Sequence, residues 1–201
     1  MTLSSGDDAI HGTVGVTIDS GTIHILQSYE GIESVDTITI NGGSIDLVSS
    51  DDGINIGGAI TMTGGTVVVD GPTADNNGAL DYDAGFTMSG GSVVATGSSG
   101  MALAPGTTST VHGGIAYLTA TAPAGSEVLV KDASGDVVLQ STPVKSFSSI
   151  AFGSADLKKG AAYSVWVGGT RVYDFTASSI VTTLGSGGGM GGGGGGGGRG
   201  R

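Results

Sequence analysis

Apolar residues recur through the first hundred positions in short alternating runs, and the runs themselves repeat about every 22 residues. Thr37-Ile38-Thr39-Ile40 alternates polar and apolar positions, breaks at Asn41-Gly42-Gly43, and resumes as Ser44-Ile45-Asp46-Leu47-Val48. Alternation with a period of two predicts half-buried strands, and the Gly pair between them predicts a tight turn. The unit returns in Ser20-Gly21-Thr22-Ile23, Gly64-Gly65-Thr66-Val67 and Gly90-Gly91-Ser92-Val93, with the second small residue spaced by 22, 22 and 26. No Gly-free amphipathic window of helical length interrupts these units, so strands carry the fold. A meander also uses short strands, but it has no reason to keep one beat with the same residue types in register. A solenoid does, because no single rung can bury its own apolar face.

The pattern therefore predicts an all-β chain: a right-handed, single-stranded parallel β-helix of about five rungs, its hand taken from the general preference for right-handed crossovers. Ile10, Ile32, Ile54 and Leu80 are expected to stack as one inward ladder, Ile18, Ile40, Met62 and Met88 as a second, and Ile23, Ile45, Val67 and Val93 as a third. Rungs about 4.8 Å apart would bring each ladder into contact. The outward threonines at 17, 39, 61 and 87 follow the same beat and read as ordinary strand alternation; their run is short for a flat ice-binding face. Residues 1–122 are assigned to the helix and residues 123–184 to a β-rich, hairpin-containing C-terminal cap, needed because an open solenoid end exposes an unpaired edge. Within the cap, Glu127 to Lys131 and Val137 to Gln140 read as a hairpin about Asp132 to Asp136. Ser148 to Phe152, Tyr163 to Val167 and Arg171 to Phe175 read as further strands. Residues 185–201, almost all Gly, read as a flexible, disordered tail. The chain begins in what reads as the middle of a rung, without a basic region or apolar run for a secretory signal, so a trimmed N-terminus is expected.

Charge changes the picture. All seven Lys and Arg lie after residue 130, whereas residues 1–130 hold fourteen Asp or Glu. Such a surface repels nucleic acid and anionic lipid and attracts cations. No apolar run is long enough to insert in a membrane, and the absence of Cys leaves the redox compartment open.

The acids follow the repeat. Asp7 and Asp8, then Glu30 and Glu33, then Asp51, Asp52 and Asn55, then Asp81 and Asp83 fall on four successive turns. Stacked along one edge, carboxylates this close raise one another's pKa unless water, protonation or a metal intervenes. Oxygen-only ligands at irregular spacing suit calcium better than octahedral magnesium, with simple solvated turns as the alternative. His11 adjoins the column as a ligand or as a ladder member. The fourth rung carries four extra residues near Gly71 to Asn77, a turn-rich loop expected to overhang the acidic edge, so Asn76 and Asn77 are candidate ligand contacts. Tyr29 and Tyr82 read either as rung-edge cover or as sugar contacts. Aromatic residues are only 5% of the chain, which weighs against a binding mode built on stacking alone.

Taken in order, Asp8-Ala9-Ile10-His11, Ser28-Tyr29-Glu30-Gly31-Ile32-Glu33, Ser50-Asp51-Asp52-Gly53-Ile54-Asn55, Gly78-Ala79-Leu80-Asp81-Tyr82-Asp83 and Ser98-Ser99-Gly100-Met101-Ala102 resemble a clostridial-type polysaccharide-binding β-helix family of carbohydrate-binding domain-containing proteins. Leu157-Lys158-Lys159-Gly160 and the Gly-rich ending resemble that family's C-terminal part. The resemblance implies an extracellular or cell-surface protein, calcium between rungs, and affinity for a cellulose- or pectin-like polysaccharide. It is also similar in architecture to pectate lyases. Ala9, where later copies have Gly31 and Gly53, departs from the pattern. A lyase needs a base near the metal to take the C5 proton of a uronate, and the solenoid segment has no Lys or Arg to serve. The expectation is a non-catalytic polysaccharide-binding protein that uses a calcium-loaded acidic face. A structural or adhesive solenoid capable of self-association is the alternative, and a lyase is the less favoured one.

Overall fold

In the computed structural model residues 1–187 are described, and they fold entirely as strands and turns. A first strand, β1 (Thr2–Ser4), is followed by four complete rungs of three strands each. These are β2 (Ile10–Gly12), β3 (Gly15–Ile18) and β4 (Thr22–Gln27); β5 (Ile32–Ser34), β6 (Thr37–Ile40) and β7 (Ser44–Val48); β8 (Ile54–Ile56), β9 (Ala59–Met62) and β10 (Thr66–Asp70); and β11 (Leu80–Tyr82), β12 (Gly85–Met88) and β13 (Ser92–Gly97). Each strand pairs in parallel with its copy one rung away, so three parallel walls enclose one core. The fifth rung is partial. From Ser98 to Val111 the chain follows the same path without strand geometry, held by the Gly106 N–H to the Phe86 carbonyl (2.7 Å) and the Thr110 N–H to that of Met88 (2.8 Å).

All three expected ladders are present residue for residue. Ile10, Ile32, Ile54 and Leu80 are in register, as are Ile18, Ile40, Met62 and Met88, and Ile23, Ile45, Val67 and Val93. Two more complete the core: Val16, Ile38, Ile60 and Phe86, and Ile25, Leu47, Val69 and Ala95. Burial deepens inward from the first rung. Val16 and Ile10 are half-buried, whereas Ile32, Ile38, Ile54 and Ile60 are fully enclosed.

The Gly doublets form the corner between the second and third walls, and their second residues take left-handed backbone, with φ of 103°, 89°, 86° and 75° at Gly21, Gly43, Gly65 and Gly91. A side chain at Gly43 would also strike the rung below, because an added Cβ would lie 2.7 Å from the Gly21 carbonyl oxygen. Turn conformation and rung spacing thus demand the same residue.

The C-terminal segment continues the third wall. It comprises β14 (His112–Ala122), β15 (Val128–Asp132), β16 (Val137–Ser141), β17 (Phe147–Ser154), β18 (Ala162–Val167), β19 (Thr170–Thr176) and β20 (Val181–Leu184). The expected hairpin is β15–β16, and the three expected later strands are β17, β18 and β19. Neither β14 nor β20 was anticipated. β17 pairs antiparallel with the last solenoid strand, β13, and β14 lies beyond β17 and pairs parallel with β20. The eight-stranded wall therefore runs unbroken from β1 to β20. Ala151 of β17 closes the end of the solenoid core, while its neighbours Ile150 and Phe152 face a second core. That core is roofed by a four-stranded antiparallel sheet, ordered β16-β15-β18-β19, that contributes Val128, Val130, Leu139, Val165 and Phe175. The Gly tail from residue 188 onward lies outside the described residues.

Candidate functional site

The acidic turns occupy the corner between the third wall and the first. One turn joins β1 to β2, the next β4 to β5, and the third β7 to β8, and each hydrogen-bonds to the one above. The Ala9 N–H donates to the Glu30 carbonyl (3.1 Å), the Gly31 N–H to the Gly53 carbonyl (3.1 Å), and the Gly53 N–H to the Gly78 carbonyl (3.2 Å). Close approach explains the glycines: a Cβ on Gly53 would sit 2.3 Å from the Ala79 carbonyl oxygen and 2.3 Å from Val69 Cγ1. The turn residues Asp8, Glu30 and Asp52 form one column. Beside it, in strict strand register, runs a second column of His11, Glu33, Asn55 and Asp81.

Two groups have ligand atoms within 4.8 Å of one another: Asp8 with His11 and Glu33, which spans the two columns, and Glu30 and Asp52 of the first column with Asp51. In the first, His11 Nδ1 bonds the Glu33 carboxylate and lies 3.5 Å from that of Asp8. The bond to Glu33, with the charges of both acids, raises the His11 pKa and favours an imidazolium between two carboxylates. When protonated, His11 supplies this group with a cation.

The second group has none. Asn55 Nδ2 donates to Glu30 Oε1 (3.0 Å) and the Gly78 N–H to Asp52 Oδ1 (2.7 Å), yet Glu30 Oε2 is buried without a hydrogen-bond partner among the described residues. Burial, reinforced by the charges of Glu33, Asp8 and Asp52, raises the Glu30 pKa from 4.5 to about 7. Burial likewise raises Asp52 from 3.8 to about 6, with Asp81 and Asp51 adding to it. Two carboxylates about 4 Å apart repel by roughly 4 kcal/mol at an effective dielectric near 20. A hydrogen bond returns only about 1 kcal/mol, so the donated amides do not settle this group. A proton or a cation must.

The remaining expected ligands separate. Asp7 and Asp83 are exposed and belong to neither group, and Asp81, though in line with Asn55, acts on Asp52 only through its charge. Tyr29 is exposed in the turn stacked against Asp51, whose N–H donates to the Tyr29 carbonyl (2.9 Å), and the charge of Asp51 raises its phenol pKa. Tyr82 stands edge-on to Phe86 at 6.3 Å and donates its hydroxyl to the Ala104 carbonyl (2.5 Å), closing the fourth rung against the fifth. The Gly71–Asn77 loop springs from the same corner. It is bonded to the partial fifth rung, with the Ser98 hydroxyl on the Asn77 carbonyl (3.1 Å) and the Gly100 N–H on Asp75 Oδ1 (3.2 Å), and it leaves Asn76 exposed.

Two further residues bear on the site. His11 sits 22 positions before Glu33, and this spacing was enough to place it in the outer column. Lys145 had no such signal. It lies in the loop between β16 and β17, which folds back along the third wall so that Nζ donates to the Ser49 carbonyl beside the Asp51-Asp52 turn. The neighbouring Val144 N–H donates to Oδ2 of the buried Asp70 at 2.7 Å, and the charge of Asp70 acts on Lys145 without an ion pair between them.

Comparison with curated proteins and with solved structures yields no match. Residues 1–78, which carry β1 to β10 and three acidic turns, match the model of a family described as carbohydrate-binding domain-containing protein, and over that stretch the chain is similar to that family.

Proposed function

We propose that this solenoid binds polysaccharide without catalysis, through a calcium ion held at the second acidic group. The observation that carries the reading is the pairing of a buried, unpartnered carboxylate oxygen on Glu30 with two further carboxylates and no cation. Glu30, Asp51 and Asp52 would hold the ion, and their all-oxygen donor set suits a hard cation. Bound there, calcium would supply a positive centre at the rim for the carboxylate or hydroxyls of a sugar. Tyr29 flanks that position, and the net charge of −11 leaves few other anchors for an acidic glycan. The match of residues 1–78 to a carbohydrate-binding family supports the same ligand class and covers all three residues. An extracellular or cell-surface location, where calcium and plant-type polysaccharide are both abundant, belongs to the same proposal.

Two measurements test it. Millimolar calcium is expected to raise the melting temperature by several degrees over EDTA, as any ligand of the native state alone must. In affinity electrophoresis through polygalacturonate, calcium-dependent retardation is expected for the natural chain and not for Asp52→Ala. Retardation that is identical in EDTA and in calcium would sink the calcium-bridged mode.

A lyase is the second reading, and one observation favours it. The fold-back of the β16–β17 loop brings a half-buried lysine, its pKa lowered by burial, to the carbonyl beside Asp51 and Asp52. Lys145 Nζ would then be the base for C5 proton abstraction. Release of unsaturated uronate on incubation with pectate, abolished in Lys145→Ala, would establish that reading over simple binding.

A further inference from the structure

The cap carries a cleft of about 690 Å³, remote in sequence from the matched residues 1–78, and the single tryptophan of the chain lies in its lining. Strand register explains the grouping. Trp166 of β18 is in line with Leu129 of β15 and Arg171 of β19, and Ser164 with Lys131 and Asp174, so two adjacent rows project from one face of the cap sheet. A β-bulge beside Arg171 restores its parity with Asp174, three positions on. Its Nε donates to Asp174 Oδ1 at 2.7 Å. The indole is held in place by its Nε1–H, which donates to the Ser164 hydroxyl at 2.9 Å. Lys131 Nζ rests 4.8 Å from the ring centroid and makes no ion pair among the described residues. The Asp132–Gly135 turn forms a rim, ordered by Asp132 Oδ1 accepting the Ser134 and Asp136 N–H groups, both at 2.9 Å.

We infer that this cleft is a second glycan site, taking a pyranose residue with its C–H face on Trp166. The arrangement fits a sugar ring on three counts. A fixed aromatic plane accepts an apolar ring face. The Arg171–Asp174 pair presents a donor and an acceptor side by side, the complement of two neighbouring hydroxyls, each of which both gives and takes a hydrogen bond. Lys131, which rests over the half-buried indole on a flexible four-carbon stem, would give up that cation–π contact to the sugar and supply the charge for a uronate carboxylate. The cap site stands independently of the acidic edge, since none of its residues belongs to either carboxylate group.

Because Trp166 is the only tryptophan, its emission reports this cleft alone. Titration of the full chain with tetragalacturonate and with cellotetraose, both in EDTA, is expected to give a saturable change in Trp166 emission. Lys131→Met is expected to weaken tetragalacturonate about tenfold and to leave cellotetraose unaltered. In affinity gels containing EDTA, Trp166→Ala and, separately, Arg171→Ala are expected to lose retardation while melting at the natural temperature. Silence of the emission toward both sugars at millimolar concentration overturns the site, even where calcium-dependent retardation on the acidic edge persists. An emission change that requires calcium overturns it too, because the cleft then takes no sugar independently of the acidic edge.

Discussion

Glu30 shows how one side chain can hold opposite tendencies. Its Oε1 is satisfied by Asn55, its Oε2 is buried and unpaired, and its pKa stands near 7 rather than 4.5. The consequence for stability has a definite sign. A carboxyl whose folded pKa exceeds its unfolded value binds more protons in the native state, so its contribution is fully present below the unfolded pKa and is lost as pH rises through the folded one. With Asp52 near 6 behaving in the same way, the metal-free chain is expected to lose stability between about pH 4 and pH 7, where most folded proteins gain it or hold level. Thermal melts in EDTA across that range check this. Glu30→Gln, which keeps the acceptor for Asn55 and removes the charge, is expected to flatten much of the slope. A melting temperature that climbs from pH 4 to 7 would contradict the burial of these acids.

At the scale of the element, the rung is defined by the corner glycine and the ladder residue, and their costs differ in kind. Gly43 occupies left-handed backbone and has the Gly21 carbonyl 2.7 Å from where a Cβ would stand. Gly43→Ala is therefore expected to cost about 1–3 kcal/mol through strain and displacement of the neighbouring rung. Leu47 is wholly enclosed between Ile25 and Val69. Leu47→Ala is expected to cost about 2–5 kcal/mol, the larger values applying because rungs locked above and below cannot close the cavity. Urea unfolding of the two variants checks both, with the m-value unchanged if the solenoid still unfolds as one unit.

For the whole molecule the decisive contact is between the cap loop and the third wall. Asp70 ends β10, is buried, and accepts from the Val144 N–H and, at 3.2 Å, from the Thr96 hydroxyl, while Lys145 supplies the opposing charge. Removing the carboxylate leaves the Val144 N–H and the buried Thr96 hydroxyl without their acceptor. Asp70→Ala is accordingly expected to cost about 2–4 kcal/mol, and Asp70→Asn less, because the amide can still accept. Calorimetry of both variants checks the order. If Asp70→Ala melts with the natural chain, the wall and the cap are held by the shared sheet alone.

The line between what was legible in the chain and what was not follows from the physics of repetition. Residues that return every 22 positions are placed by the stack itself, since parallel pairing forces equivalent positions into register. For that reason the ladders through Ile10, Ile18 and Ile23, the left-handed Gly43 and the edge bearing Glu30 and Asp52 were all readable. The repeat alone determined the all-β solenoid and the acidic column. It did not determine which acids meet, because the split of Asp8 and Glu33 from Glu30, Asp51 and Asp52 depends on turn geometry within a few ångströms. Beyond residue 111 the repeat ceases, and pairing is then settled by long-range contacts that no local period encodes. The insertion of β17 between β13 and β14, the reach of Lys145 to Ser49, and the gathering of Lys131, Trp166, Arg171 and Asp174 on one face were decided by the tertiary structure alone.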